Sequence, residues 1–257
     1  MLDGYEQFII QIKRKTGIDL SLYKEVQMKR RLKSLYEKKG FSSFQDFFKE
    51  INRNPNLLNE FLDRLTINVS EFFRNYKRWE ILETKIMPQI LKNNKHPKIW
   101  SAACSTGEEA YTIAMLVTGI MPHSDIHILA TDIDENSLAR AKTGVYSEKS
   151  VNGVPENLKP KFFNQQGDYY YISNEIKKMV TFKKHNLLAD PYDGQYDLII
   201  CRNVLIYFTE EAKNHLYQKF SSALKKDGIL FVGSTEQIFN PSLYHLKTQE
   251  TFFYQKI

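Results

Sequence analysis

The stretch 98-KIWSAACSTGEEAYTIAML-116 reads as a strand, a loop of small residues and a helix. A strand that feeds a helix through a tight turn is half of a βαβ unit, and it sets a ligand loop at the carboxyl end of a parallel strand. Dinucleotide-binding turns carry several glycines there, so that a pyrophosphate can reach backbone N–H groups at the helix start. Here Ser101 to Ser105 keep the loop small, Gly107 is its only glycine, and Glu108 and Glu109 follow. Acidic groups in a first helical turn favour the helix dipole by about 0.3–1 kcal/mol each. They also repel phosphate, which argues against NAD or ATP. A ligand with no phosphate and a positive charge fits, and S-adenosyl-L-methionine, a nucleoside with a sulfonium and an ammonium, has that chemistry.

Outward from this loop the same alternation continues. Strand-like 126-IHILATD is followed by helical 134-DENSLARAKTG, and later come 180-VTFKKH, 196-YDLIICRN, a helix from about Glu210 to Lys225, and 228-GILFVGS. The pattern predicts a parallel sheet with crossover helices. Leu243–Lys247 and Thr251–Gln255 read as a closing antiparallel hairpin. Asp132 ends its strand 25 residues after Gly107. An acid there can accept hydrogen bonds from ribose hydroxyls, while Asp132 or Asp134 equally suits a helix N-cap. In 222-SALKKDGILFVG a helix, a tight turn at Asp227-Gly228 and a buried strand follow one another, as is frequent at the fifth strand of methyltransferases. Residues 144–179 are too long for a loop and include 164-NQQGDYYYIS, a turn into an aromatic strand, so a small antiparallel insertion is expected.

Upstream, residues 5–67 read as four helices. The first runs from Tyr5 to Lys15 and stops at Gly17. The second is capped by Asp19 or Ser21 and runs to Gly40. The third opens at Ser42 or Ser43, and Asn54-Pro55 separates it from the fourth. The chain of 257 residues is 42% hydrophobic, enough for one large or two small domains. Its net charge of +6 lies wholly in residues 1–78, which hold 16 Lys+Arg against 10 Asp+Glu, whereas residues 79–257 hold 20 of each. Two domains with different tasks are implied. Cys104 and Cys201 read as buried thiols. No transmembrane run or signal peptide is evident, so a cytoplasmic protein is expected.

The pieces 66-TINVSEFFRN, 99-IWSAACSTGEEAY, 129-LATDID, 185-HNLL, 200-ICRNVLIYF and 229-ILFVGSTE together resemble the chemotaxis receptor methyltransferase family, CheR, over nearly the whole chain. The resemblance implies an α/β fold: a Rossmann-like class I methyltransferase sheet with an N-terminal all-α domain and a small antiparallel β insertion. The expected boundaries are 1–75 for the helical, receptor-docking domain and 76–257 for the catalytic domain, with the insertion at about 144–179. It implies transfer of a methyl group from S-adenosyl-L-methionine to glutamate side chains of bacterial chemoreceptors, leaving S-adenosyl-L-homocysteine. Carried over residue by residue, it implies that Asn68, Ser70, Arg74, Glu109, Asp132, Asn186, Leu187, Arg202 and Asn203 line the cofactor site. Arg74 and Tyr207 would face the substrate. Ala110 departs from the family's frequent Pro, and alanine suits a helix start as well.

A glutamate acceptor, with a reference pKa of about 4.3, is already ionised at neutral pH, so direct displacement requires no general base. This agrees with a sequence that offers no His- or Cys-based catalytic set and no metal spacing such as HExxH. Arg74 suits either orientation of a carboxylate or a structural ion pair, and Tyr207 either a substrate contact or core packing. The second helix carries Lys24, Arg31 and Lys38 seven residues apart along the edge of an apolar face. That pattern fits a solvated helix surface, and equally a dock for the acidic helices of a receptor's cytoplasmic domain. The expected protein is a monomer, bound neither to nucleic acid nor into the membrane, and recruited to membrane-bound receptor arrays. The insertion has only Gly167 in its short hairpin, which argues against its gripping a receptor tail peptide. Two rivals remain open. An RNA methyltransferase would explain the basic N-terminal part, although the fourth strand ends in CRNV rather than an Asn/Asp-Pro-Pro-aromatic pattern. A receptor-binding module that only senses the cofactor is the other.

Overall fold

The apolar spacing of the first 65 residues closes four helices around a phenylalanine core. In the computed structural model, which describes residues 4–66, 70–121 and 126–257, these are α1 (Tyr5–Thr16), α2 (Glu25–Lys38), α3 (Phe44–Arg53) and α4 (Pro55–Leu65). Phe8, Phe44, Phe47 and Phe61 are fully buried between them. The caps follow local chemistry: Gly17 ends α1 at φ 75°, the Ser43 hydroxyl accepts from the Asp46 N–H, and Asn54 accepts from the N–H groups of Asn56 and Leu57. One boundary differs from the sequence pattern. Asp19 caps a single 3-10 turn, Leu20–Leu22, and α2 begins only at Glu25. The residues between leave helical geometry because Tyr23 pairs as an isolated antiparallel bridge with Phe208 of the second domain.

A rod that the sequence pattern did not assign follows. It comprises α5 (Tyr76–Ile81), a π-helical turn (Leu82–Ile86) and α6 (Met87–Asn93). Pro88 lacks the N–H that an uninterrupted α-helix needs, and the wider turn before it accommodates the break. Trp79, Leu82, Ile86 and Met87 bury this rod against the main core.

The main sheet has seven strands: β1 (Ile99–Ala102), β2 (Ile128–Asp132), β6 (Val180–Lys184), β7 (Tyr196–Cys201), β8 (Leu224–Val232), β9 (Leu246–Glu250) and β10 (Phe253–Lys256). Their order is β6-β2-β1-β7-β8-β10-β9. The first five are parallel, and β10 and β9 add an antiparallel hairpin. Helices α7 (Glu108–Ile120), α8 (Glu135–Thr143) and α12 (Glu210–Ala223) make the crossovers. A second, three-stranded antiparallel sheet joins β3 (Val145–Ser147), β4 (Phe163–Gln166) and β5 (Tyr169–Ile172), with short helices α9 (Glu148–Val151), α10 (Lys159–Phe162) and α11 (Asn174–Lys178) around it. The fold class read from the sequence is thus the one observed.

Chain order reverses between β1 and β7, so the loops at their carboxyl ends diverge and open a cleft. The turn after β1 passes through left-handed backbone at Ala103 (φ 65°), Ser105 (φ 49°) and Gly107 (φ 94°). Only at Gly107 is a side chain also excluded by space. A Cβ there would stand 2.9 Å from the Ala141 Cβ and 3.2 Å from the Phe182 ring. Gly119, in the last turn of α7, has nothing within 4 Å. Gly107→Ala is therefore expected to destabilise the protein by about 1–3 kcal/mol, whereas Gly119→Ala should be neutral or stabilising by up to ~1 kcal/mol. Urea unfolding of the two variants beside the parent checks both signs.

Candidate functional site

The cleft encloses about 1020 Å³, its open mouth included, and its walls come from both domains. Four strand ends and one link supply most of the polar side chains. From the turn after β1 comes Glu109, whose Oε1 accepts from the Ser101 hydroxyl at 2.9 Å. Glu108 points away, is 3% exposed and accepts from the Thr106 hydroxyl at 2.7 Å. From the end of β2 comes Asp132, 6% exposed. Its two oxygens accept from the N–H groups of Ser105 at 2.7 Å and Asp134 at 3.0 Å. Asp134 itself caps α8, accepting from the Asn136 N–H at 2.9 Å. The two acids that were interchangeable in sequence thus divide: Asp134 serves the helix and Asp132 lines the cleft.

From the end of β7 comes Arg202, with its side chain 2% exposed. It donates to the Arg74 carbonyl at 2.9 Å, lies 3.7 Å from Glu109, and is flanked by the rings of Trp79 and Phe231. Its Nε finds no partner among the described residues. At 3.7 Å the ion pair is too long for a good hydrogen bond, so burial outweighs the attraction on both sides. Burial pushes the Glu109 carboxyl up to about 7 against the pull of Arg202 and Ser101, and it lowers the Arg202 guanidinium. Burial likewise raises Asp132 despite its backbone hydrogen bonds.

The link between the domains brings Ser70 and Arg74 to the cleft, the loop after β6 brings Asn186 and Leu187, and the loop after β7 brings Asn203 and Tyr207. Asn68 lies outside the described residues. The Asn186 loop is braced from below. Lys219 donates to the carbonyls of Leu187 at 2.9 Å and Asp190 at 2.7 Å, and the Tyr192 hydroxyl donates to Leu187 at 3.0 Å. Lys24, just before α2, and Lys38, at its end, are exposed. Arg31 is half-buried: it donates to the Leu65 carbonyl at 2.7 Å and lies over the Tyr207 ring at 5.7 Å. Arg31 and Lys38 share a groove with Arg30 and Arg64 that reaches Tyr207, so groove and cleft meet at that ring.

Two residues that shape the site were not assigned from the sequence. Glu236, 4% exposed, accepts from the N–H groups of Asn203 and Gly233 at 2.8 Å each and of Ile206 at 3.3 Å. It holds Asn203 in left-handed backbone, φ 60°. The stretch 229-ILFVGSTE contains it, and an acid a few residues beyond a buried strand was the available hint. Tyr23 enters the cleft from the helical domain. A tyrosine in a non-helical turn gives no such hint.

This donor set tests the expected cofactor. The acids Glu109 and Asp132 suit an ammonium and ribose hydroxyls, Ile133, Leu187 and Val204 offer apolar wall for a base, and the turn offers no glycine-rich cradle for phosphate. S-adenosyl-L-methionine fits. Comparison with known proteins gives the same answer. The model of the CheR methyltransferase all-alpha domain matches residues 3–66, and that of the CheR methyltransferase SAM binding domain matches residues 68–253. The chemotaxis protein methyltransferase of Listeria innocua is 44% identical over 253 residues, covering 98% of this chain and 97% of its own. That of Borreliella burgdorferi is 40% identical over 236 residues, covering 86% and 83%. Chemotaxis protein methyltransferase Cher2 of Pseudomonas putida is 31% identical over 248 residues, covering 91% and 90%. Matched across both domains, and with a cleft whose acids suit the sulfonium cofactor, the chain belongs to the CheR family of S-adenosyl-L-methionine-dependent methyltransferases.

Proposed function

We propose that the protein methylates glutamate side chains on the cytoplasmic helical domain of bacterial chemoreceptors, and that Arg74 and Tyr207 receive the acceptor carboxylate. The observation that carries this reading is the meeting of the basic α2–α4 groove with the cofactor cleft at Tyr207. In this reading Glu109 takes the cofactor's ammonium, Asp132 the ribose hydroxyls and Asn186 and Leu187 the adenine edge. Ser70, Arg202 and Asn203 complete the wall, and Asn68 is assigned there from the family pattern alone. When bound, the cofactor supplies a methyl group on a sulfonium sulfur.

The chain's own contribution is orientation and dryness. Cationic Arg74 can hold a carboxylate by a charge-assisted hydrogen bond. The Tyr207 ring, half-buried under Arg31, adds a polar tip on an apolar wall. Attack by an anion on a cation spends charge as it proceeds, so water around the two groups would slow it, and a closed, low-dielectric site favours it. Lys24 and Lys38, exposed at the two ends of α2, and Arg31 within the groove supply the field that draws in an acidic helix. No helix among the described residues is long and apolar enough to cross a membrane, which supports reaching membrane receptors by docking on their cytoplasmic helices. Action as a monomer is part of the same proposal.

The assay is methyl-labelled S-adenosyl-L-methionine with a receptor cytoplasmic fragment and, in parallel, bulk RNA. Base-labile label on the receptor, released as methanol, is expected. Base-stable label on RNA would replace this reading with an RNA methyltransferase, and cofactor binding without transfer to either would leave a sensing module. Arg74→Ala should cut receptor methylation by ~10²-fold while weakening S-adenosyl-L-homocysteine binding by less than about fivefold; equal losses would make Arg74 a cofactor residue only. A pH series adds a second check. Glu109, pushed up to about 7 by burial, is mostly neutral in the free protein below that pH, and the ligand's ammonium prefers it ionised. Affinity for S-adenosyl-L-homocysteine is therefore expected to rise from pH 5.5 to about pH 7 and then flatten, and Glu109→Gln should remove the slope. The stability of the unliganded protein runs the other way. The contribution of neutral Glu109 is full below the ordinary glutamate value of 4.5 and is lost as pH rises through about 7.

A further inference from the structure

We propose that Tyr23, a residue of the helical domain, contacts the nucleoside half of the cofactor, and that the backbone bridge around it is a latch that opens for cofactor exchange. The proposal rests on the cleft being the S-adenosyl-L-methionine site. Tyr23 lines that cleft beside Asp132 and Ile133. Its ring packs against both apolar cores, at a seam that Leu22 and Ile133 also cross. The ring meets Phe208 edge-on at 4.9 Å between centroids. Burial raises the pKa of its hydroxyl, and the nearby Asp132 carboxylate raises it further.

The bridge itself consists of two hydrogen bonds. The Lys24 N–H donates to the Tyr207 carbonyl at 2.9 Å, and the Thr209 N–H donates to the Leu22 carbonyl at 2.9 Å. They join a turn of one domain to the loop of the other that carries Tyr207. An aromatic ring held over a nucleoside by two main-chain bonds blocks its exit until those bonds part. The roof can lift without unfolding either domain, because the buried residues of each core come from one domain and only partly buried side chains, Leu22, Tyr23 and Ile133 among them, pack across the seam.

Lys24→Pro isolates one of the two bonds. Lys24 has φ −59°, already in proline's range, and Tyr23 before it is extended at φ −102° and ψ 154°, as a residue preceding proline prefers. The substitution removes the N–H without forcing the backbone, and Lys24→Ala controls for loss of the charge. Release of S-adenosyl-L-homocysteine is followed by stopped flow and its affinity by calorimetry, with thermal unfolding of every variant alongside. Lys24→Pro is expected to release the product about fivefold faster than Lys24→Ala. Tyr23→Ala should weaken binding about tenfold, mainly through faster release, and Tyr23→Phe should recover most of the loss because it restores the ring. Equal release from the Pro and Ala variants, or parent-like affinity in Tyr23→Ala, would overturn the proposal. If the parent protein bound no S-adenosyl-L-homocysteine, the cofactor reading of the cleft would fall and this proposal with it.

Discussion

A buried guanidinium organises the cofactor side of this protein. Arg202 is held away from water, and an ion taken out of water loses several kcal/mol of solvation unless its surroundings replace it. Four segments supply the replacement: the Arg74 carbonyl from the link, Glu109 from the start of α7, the Trp79 ring from α5 and the Phe231 ring from β8. Each of these must stand where it does for the charge to be tolerated. The link that joins the domains is thereby fastened to the sheet at the residue that also enters the cleft. The replacement is incomplete, as the unpartnered Nε and the 3.7 Å ion pair show.

The parts of the site that were legible in the sequence are those built by short-range rules. A parallel strand followed by a tight turn fixes where Glu109 goes, and the end of the next strand fixes Asp132, because neighbouring parallel strands bring their carboxyl ends to one rim. The four-helix domain was legible from caps and apolar spacing. The rod over residues 76–93 was not, since Pro88 reads as a break and only the packing of Trp79, Leu82 and Ile86 on the main core shows why the helix continues. Glu236 and Tyr23 were illegible for a different reason. Their roles come from contacts with Asn203 and Phe208, which are remote in sequence; the first forms within the second domain, and the second only once both domains have closed. The heptad of cations on α2 shows the limit from the other side. Its spacing placed Lys24, Arg31 and Lys38 on one edge, yet only the folded chain shows that Arg31 is spent on the Leu65 carbonyl and the Tyr207 ring while the two lysines face water.

The small three-stranded sheet has a mechanical meaning that its size conceals. Phe72 of the link is plugged into it, edge-on to Tyr146 at 4.8 Å and to Phe163 at 5.3 Å. Gly153 presses so closely that a Cβ there would fall 2.3 Å from the Phe72 carbonyl oxygen. The next residue, Phe73, takes left-handed backbone at φ 51° and donates its N–H to the Thr112 hydroxyl on α7. The link is thus gripped from two sides at consecutive residues, with Arg74 directly beyond. The small sheet, none of whose residues line the cleft, thus helps fix the place of a residue that does.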